Sequence, residues 1–224
     1  MRFGRNLGLA MILAAAGVPL AGGAHASELS DSAEARSTMR RTISCLVDND
    51  MKYRRGRGLF AVMEGRLGDE AFAELRAQLD NCLFVVSHEG RSVRRVQFTS
   101  TLLKGQIFRA IVLQDWGIDG REELLPEFRR IASAPQEPAA NPIGVFGTCV
   151  AKLDPENARK AIGSRTAHDE EAAAYAALAP FMAQCVSPGN RIAFSKQVLE
   201  GALAEGLFMV TFSGPSTSSV AGGN

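Results

Sequence analysis

The sequence predicts a mainly α protein of two homologous helical repeats, about four helices each, disulfide-clipped, with β structure limited to a minor short hairpin. Three observations carry this reading. Cys45 and Cys82 lie 37 positions apart and Cys149 and Cys185 lie 36 apart, so the two pairs are offset by 104 and 103 positions. Counting back from the second cysteine of each pair, Phe72, Leu75 and Leu79 match Tyr175, Leu178 and Met182, which repeats one apolar helix face. Further on, Phe98-Thr99-Ser100-Thr101-Leu102-Leu103-Lys104-Gly105 aligns with Phe194-Ser195-Lys196-Gln197-Val198-Leu199-Glu200-Gly201 at an offset of 96. Self-similarity of this kind marks a duplicated unit. One copy spans residues 36–113 and the other 143–212, joined by a linker with a short helix at 114–142.

The elements follow in chain order. Arg2 and Arg5 precede an apolar stretch from Leu7 to Leu20, and Ala24-His25-Ala26 supplies the small residues of a signal-peptidase site, so residues 1–26 read as a signal peptide cleaved near Ala26. Ser37–Val47 shows Met39, Ile43 and Leu46 at helical spacing, and a short helix follows. From Asp69, the 3-4-3 spacing of Phe72, Leu75, Leu79 and Cys82 predicts a helix whose other side carries Glu70, Glu74 and Gln78. Leu83-Phe84-Val85-Val86 and Val93 to Phe98 are β-prone runs around Glu89-Gly90, and they predict the hairpin. Leu102, Leu103, Ile107 and Ile111 then form the apolar stripe of the last helix of this copy. In the linker, Glu122 to Ile131 predicts a helix that lays Leu124, Leu125, Phe128 and Ile131 on a repeat surface.

The second copy repeats the series. A helix over Val145–Leu153 gives way to Asp154-Pro155-Glu156, an N-cap followed by proline at the first helical position. Asp169-Glu170-Glu171 opens the next helix with the acidic residues that suit its positive end. Val198, Leu199, Leu203 and Leu207 line the last one, and the Ser/Gly-rich end, residues 213–224, is expected to be a disordered tail.

Four cysteines in an exported chain, none in a CxxC pair, read as structural disulfides. Three pairings are open; duplication favours Cys45–Cys82 and Cys149–Cys185, because an ancestral single unit had only itself to pair with. No metal site is expected, since His88 and His168 do not stand at ligand spacing from any cysteine.

Lys plus Arg number 25 against 24 Asp plus Glu, so net charge draws the chain neither to nucleic acid nor to anionic lipid. After residue 26 no apolar run is long enough to span a bilayer, and no transmembrane segment is expected in the mature protein. Charge is local instead. Lys52, Arg54, Arg55 and Arg57 surround Tyr53, and Arg91, Arg94 and Arg95 form a second basic cluster in the same copy. Clusters of this type hold phosphate or anionic polysaccharide, which makes these seven residues the candidate ligand-binding set. The second copy has Asp154, Glu156 and Glu170 in the corresponding territory.

No catalytic residue is assigned. There is no GxSxG, and the mature chain offers two histidines as bases. Gly56-Arg57-Gly58-Leu59-Phe60-Ala61 has the form GxGxxA, but Lys52-Tyr53-Arg54-Arg55 stands where the dinucleotide fold needs a buried strand, so no cofactor is expected.

Phe194-Ser195 followed by Leu199-Glu200-Gly201-Ala202-Leu203-Ala204-Glu205-Gly206-Leu207-Phe208 resembles a phrase of uncharacterised exported proteins of alphaproteobacteria, a group with a duplicated two-cysteine helical repeat. The resemblance spans most of the mature chain. It implies an exported helical protein but no activity, since that group has none assigned. The combined expectation is a periplasmic binding or structural module meeting an anionic envelope component or another periplasmic protein. The alternative is a small periplasmic hydrolase or cell-wall-acting enzyme with an unrecognised carboxylate pair.

Overall fold

A computed structural model describes residues 33–54, 56–66, 69–88, 99–114, 122–135, 141–186 and 193–213. Residues 1–32 (the expected signal peptide among them), Arg55, Glu89 to Phe98 and the residues beyond 213 lie outside them. The described residues are almost entirely helical: α1 (Ala33–Arg54), α2 (Arg57–Met63), α3 (Asp69–His88), α4 (Ser100–Leu113), α5 (Leu125–Ala132), α6 (Pro142–Leu153), α7 (Pro155–Gly163), α8 (Asp169–Gln184) and α9 (Lys196–Phe212).

Local chemistry sets the boundaries. Thr99, Asn141, Asp154 and Ser195 cap α4, α6, α7 and α9, their side-chain oxygens accepting from the amides of Leu102, Gly144, Asn157 and Val198. Between α1 and α2, Gly56 takes φ 75°, and its N–H donates to the Asp50 carbonyl at 3.2 Å. A Cβ here would meet the Phe60 ring at 2.6 Å, so this turn requires glycine twice over.

Met39, Ile43, Leu46, Val47 and Met51 of α1 are buried against α2, α3 and α4. The hairpin expectation fails at its first strand: Leu83 to Val86 belong to α3. Leu75, Leu79, Cys82 and Val86 continue one buried helical face, while Phe84 and Val85 point outward at 62% and 55% exposure. The four-residue apolar run is the place where a helical stripe crosses two exposed positions, and β propensity yields to that packing. The second strand of the hairpin lies outside the described residues.

Both disulfides join Cys45 to Cys82 and Cys149 to Cys185, each with a Cα–Cα distance of 5.8 Å, as duplication favours. Each closes a loop worth about 4 kcal/mol in the chain-entropy treatment. They fit an oxidising compartment of extracellular type. No described helix is long and apolar enough to cross a membrane.

Helix α9 is the axis of the molecule, touching α4, α5, α6 and α7. Gln197 and every residue from Glu200 to Met209 are buried. Small residues let its neighbours approach. A Cβ on Gly147 of α6 would stand 1.8 Å from the Ala202 carbonyl oxygen, and one on Gly206 would stand 2.1 Å from the Gly147 oxygen. On the opposite side α4 crosses α9 at Gly105 and Gly201, where a Cβ on either would lie within 2.9 Å of the other's Cα. Linker helix α5 closes the end: Phe128 packs edge-on against Phe60 of α2 at 5.8 Å and Phe208 of α9 at 5.6 Å.

Candidate functional site

Two features stand out beside α9. The first is a groove of about 850 Å³ above the α4–α9 crossing. Val62, Met63 and Leu103 line it from the N-terminal half, Ile131 from the linker helix, and Ile143, Val198 and Met209 from the C-terminal half. Its polar end is a chain of contacts: Lys104 Nζ lies 2.8 Å from Glu205 Oε1, and Asn141 Nδ2 donates to the same oxygen at 2.8 Å. The capping residue of α6 thus also fixes the carboxylate. Ser100 and Thr101 stand exposed at the mouth.

The second feature is a buried charge cluster shared by α1, α4, α8 and α9. Arg36 is 3% exposed and its guanidinium grips Glu171, itself fully buried, in a two-pronged hydrogen bond whose longer arm is 3.1 Å. Arg40 reaches both halves: Nη1 donates to the Ser164 carbonyl at 2.8 Å, and Nε lies 2.8 Å from Glu200 Oε1. Arg109 also meets Glu200 and donates from Nε to the Ile162 carbonyl at 2.9 Å. Tyr175 is packed among them.

The cluster sets the ionisation of its members. Burial alone raises the Glu171 carboxyl, but the Arg36 hydrogen bond, the Ala167 amide at 3.0 Å and the Arg36 and Lys196 charges overcome it, and the value falls to about 2. Burial draws Arg109 down to about 10 against the pull of Glu200, leaving it charged at neutral pH. Burial and the Glu200 and Glu171 charges push the Tyr175 phenol up. Glu171 and Glu200 share Arg40, and both are committed to guanidinium partners. Among the described residues, no group of three His, Cys, Asp or Glu is placed to hold a metal ion.

Compared with protein families, curated proteins and solved structures, the chain matches none. Function must be argued from the geometry.

The candidate basic residues fall elsewhere. Lys52 and Arg57 are exposed on either side of the Gly56 turn, with the Lys52 ammonium 5.2 Å from the Tyr53 ring centroid, and Arg54 is the last residue of α1. Arg55, Arg91, Arg94 and Arg95 lie outside the described residues. None of the cluster or groove residues belongs to the candidate ligand-binding set; those among them that the sequence marks, such as Glu171, Lys104 and Glu205, are marked as parts of helices and of the repeat. A signal existed: Arg109, Glu200 and Glu205 interrupt otherwise apolar helices, and a charge in such a helix needs an internal partner.

Acid should expose the Glu171 contribution. Its folded value of about 2 lies below its ordinary 4.5, so the stabilisation is complete above about 4.5 and is lost as pH falls towards 2. At 1.36 kcal/mol per unit this is roughly 3 kcal/mol. Thermal melts followed by circular dichroism should show the midpoint dropping between pH 5 and pH 2.5, and Glu171→Gln should flatten that drop; an equally steep drop in the variant would exclude Glu171 as its source.

Proposed function

We propose that the chain is an exported, periplasmic binding module built by duplication, with its signal peptide removed near Ala26 and its ligand seated in the groove between the two copies. The observation that carries the reading is the composition of that groove: both halves and the linker supply apolar walls, and Lys104, Glu205 and Asn141 supply one polar end. About 850 Å³ falls within the range of small-molecule sites, which are mostly apolar with a few fixed polar groups. The ligand is a small amphipathic molecule, its apolar body on Met63, Leu103 and Ile131 and a hydrogen-bonding group at the Lys104 end.

Duplication is supported by the helix crossing. Gly105 and Gly201, equivalent in the aligned phrases, touch each other, as equivalent positions do on a twofold axis. The flanking ion pairs follow the same relation: Lys104 with Glu205 and Arg109 with Glu200 each join the position before one glycine to the position four after the other.

Thr101→Trp tests the groove without touching the core, because Thr101 is exposed at its mouth. The wild type should bind 1-anilinonaphthalene-8-sulfonate saturably with micromolar affinity, and the variant should bind at least tenfold more weakly at an unchanged melting temperature. Equal binding by both, or no saturable binding by the wild type, would dismiss the groove as a site. The basic turn around Lys52, Arg54, Arg55 and Arg57 is the module's contact with an anionic envelope partner, which partner capture unchanged by alanine at Lys52 and Arg57 would disprove.

A further inference from the structure

A cleft of about 730 Å³ opens between the first turns of α1 and the loop joining α7 to α8. It adjoins the buried charge cluster through Arg40, and its composition differs from that of the groove. Arg40, Arg41, Arg165 and His168 line it, with the hydroxyls of Ser37, Ser164 and Thr166, and Glu34 is its acidic member. Arg41, Arg165 and His168 are exposed.

Beneath it the charges do not cancel. Arg36, Arg40 and Arg109 face Glu171 and Glu200, so three guanidinium groups meet two carboxylates and one positive charge is left over. An unmatched buried charge is costly unless an opposite charge approaches it. Lys196, half exposed, adds to the excess at 3.5 Å from Glu171. The hydrogen bonding is incomplete in the same place. Arg36 Nε, Arg40 Nε and Arg40 Nη2 are buried and make no hydrogen bond, Arg40 Nε lying close to Glu200 without the alignment of one and Arg40 Nη2 standing 3.7 Å from Glu171 Oε1. Arg40 is nine-tenths buried, clamped by Ser164 and Glu200, and fixed in place where the cleft begins. Such a guanidinium loses little freedom on binding an oxyanion.

We propose that this cleft binds a phosphate monoester, with Arg40 as its fixed anchor and Arg41, Arg165 and His168 closing around the phosphoryl oxygens. Two negative charges match the surplus below and the arginines at the rim, and the hydroxyls of Ser37 and Thr166 complete a donor-rich lining. The volume exceeds that of a phosphate ion, leaving space for the organic part. The site is separate from the amphipathic groove, so either can fail alone.

The test uses the mature chain at low ionic strength. Inorganic phosphate, followed by calorimetry, should bind saturably. Arg165→Ala and Arg41→Ala, both at exposed positions, should each weaken it at least fivefold, with unchanged melting temperatures, whereas Arg57→Ala at the other basic cluster should leave it as in the wild type. Absent or non-saturable binding overturns the proposal, as does loss with Arg57→Ala but not with Arg165→Ala. Two further probes separate the sources of the phosphate. Glycerol 3-phosphate binding more tightly than inorganic phosphate, and lost in Arg165→Ala, supports a soluble ester. Co-sedimentation with phosphatidic acid vesicles, lost in the same variant, supports a lipid headgroup.

Discussion

Gly147→Ala should destabilise the protein by about 3 kcal/mol, and Gly147→Val should leave no folded protein at all. In an exposed helix the alanine would be stabilising by up to about 1 kcal/mol through propensity. Here the new Cβ would stand 1.8 Å from the carbonyl oxygen and 2.4 Å from the carbonyl carbon of Ala202. Both are backbone atoms of α9, so no side chain can swing aside; α6 and α9 must separate by an ångström or more. Separation also opens the reciprocal contact, where Gly206 packs on the Gly147 carbonyl. The loss reaches beyond one methyl because α9 is where α4, α5, α6 and α7 meet. Gly163→Ala is the control: its nearest neighbour would be Leu113 Cδ2 at 3.4 Å, an ordinary contact with a flexible side chain. Urea denaturation of Gly147→Ala and Gly163→Ala measures this directly, and the far- and near-UV circular dichroism of Gly147→Val shows whether any fold remains. If Gly147→Ala unfolds within a few tenths of a molar of the wild-type midpoint, the close approach of α6 and α9 is not real.

The parts of this architecture that local chemistry determines could be read from residues alone. Duplication read from the cysteine spacing favours, among three open pairings, the one both disulfides take; Asp154-Pro155-Glu156 marks the start of α7; and Leu124, Leu125, Phe128 and Ile131 predict a helix lying on a repeat surface, though not that α5 would touch both halves. Where one residue run satisfied two periods, reading failed: Leu83 to Val86 is β-prone when taken by itself and helical only once Leu75, Leu79 and Cys82 are counted with it. The charge cluster was invisible for another reason. Arg36 and Glu171 are 135 positions apart, and Glu171 reads in the sequence only as an acidic residue of a helix opening, so nothing short of the fold itself brings them together. The basic turn at Gly56 drew notice because its charges are adjacent in sequence, whereas Arg40, Arg41 and Arg165 share a cleft only through the packing of α1 on the α7–α8 loop. Density of charge along the chain favours solvated surface; charge that is scattered yet buried is the stronger pointer to a built site.

Reversing Glu200 should have the largest electrostatic effect in the molecule. Glu200 is 1% exposed and lies against both Arg40 and Arg109, so E200R brings a fourth guanidinium to a cluster that already holds an excess of one positive charge. Removing a partner from a buried pair costs about 3–5 kcal/mol, and reversal should exceed that range. The pair at the other end of the crossing is milder. Lys104 is 22% exposed beside Glu205, and K104E should cost about 1–2 kcal/mol. The double swaps should then diverge. K104E/E205K restores one cation and one anion in near contact and should recover most of the loss. R109E/E200R should recover only part of it, because Arg40 still loses the carboxylate it shared. A double-mutant cycle by urea denaturation reads both couplings, and full recovery by R109E/E200R would show that Arg40 is not held by Glu200. On the duplication proposed above, this arrangement has a further consequence. A unit paired with a copy of itself about the glycine crossing would set Lys104 against Arg109, or Glu200 against Glu205. Each half therefore repels its own kind and attracts the other, which favours pairing of unlike halves over association of like halves between chains. E205K sets a base against Glu200 in a like pair and against Lys104 in the unlike one, so it should populate dimers paired through their second halves in size-exclusion chromatography. K104E/E205K restores the unlike pair but leaves both like pairs attractive, so it should recover stability without losing those dimers; a monomeric E205K at every concentration would mean the charges stabilise the crossing without directing it.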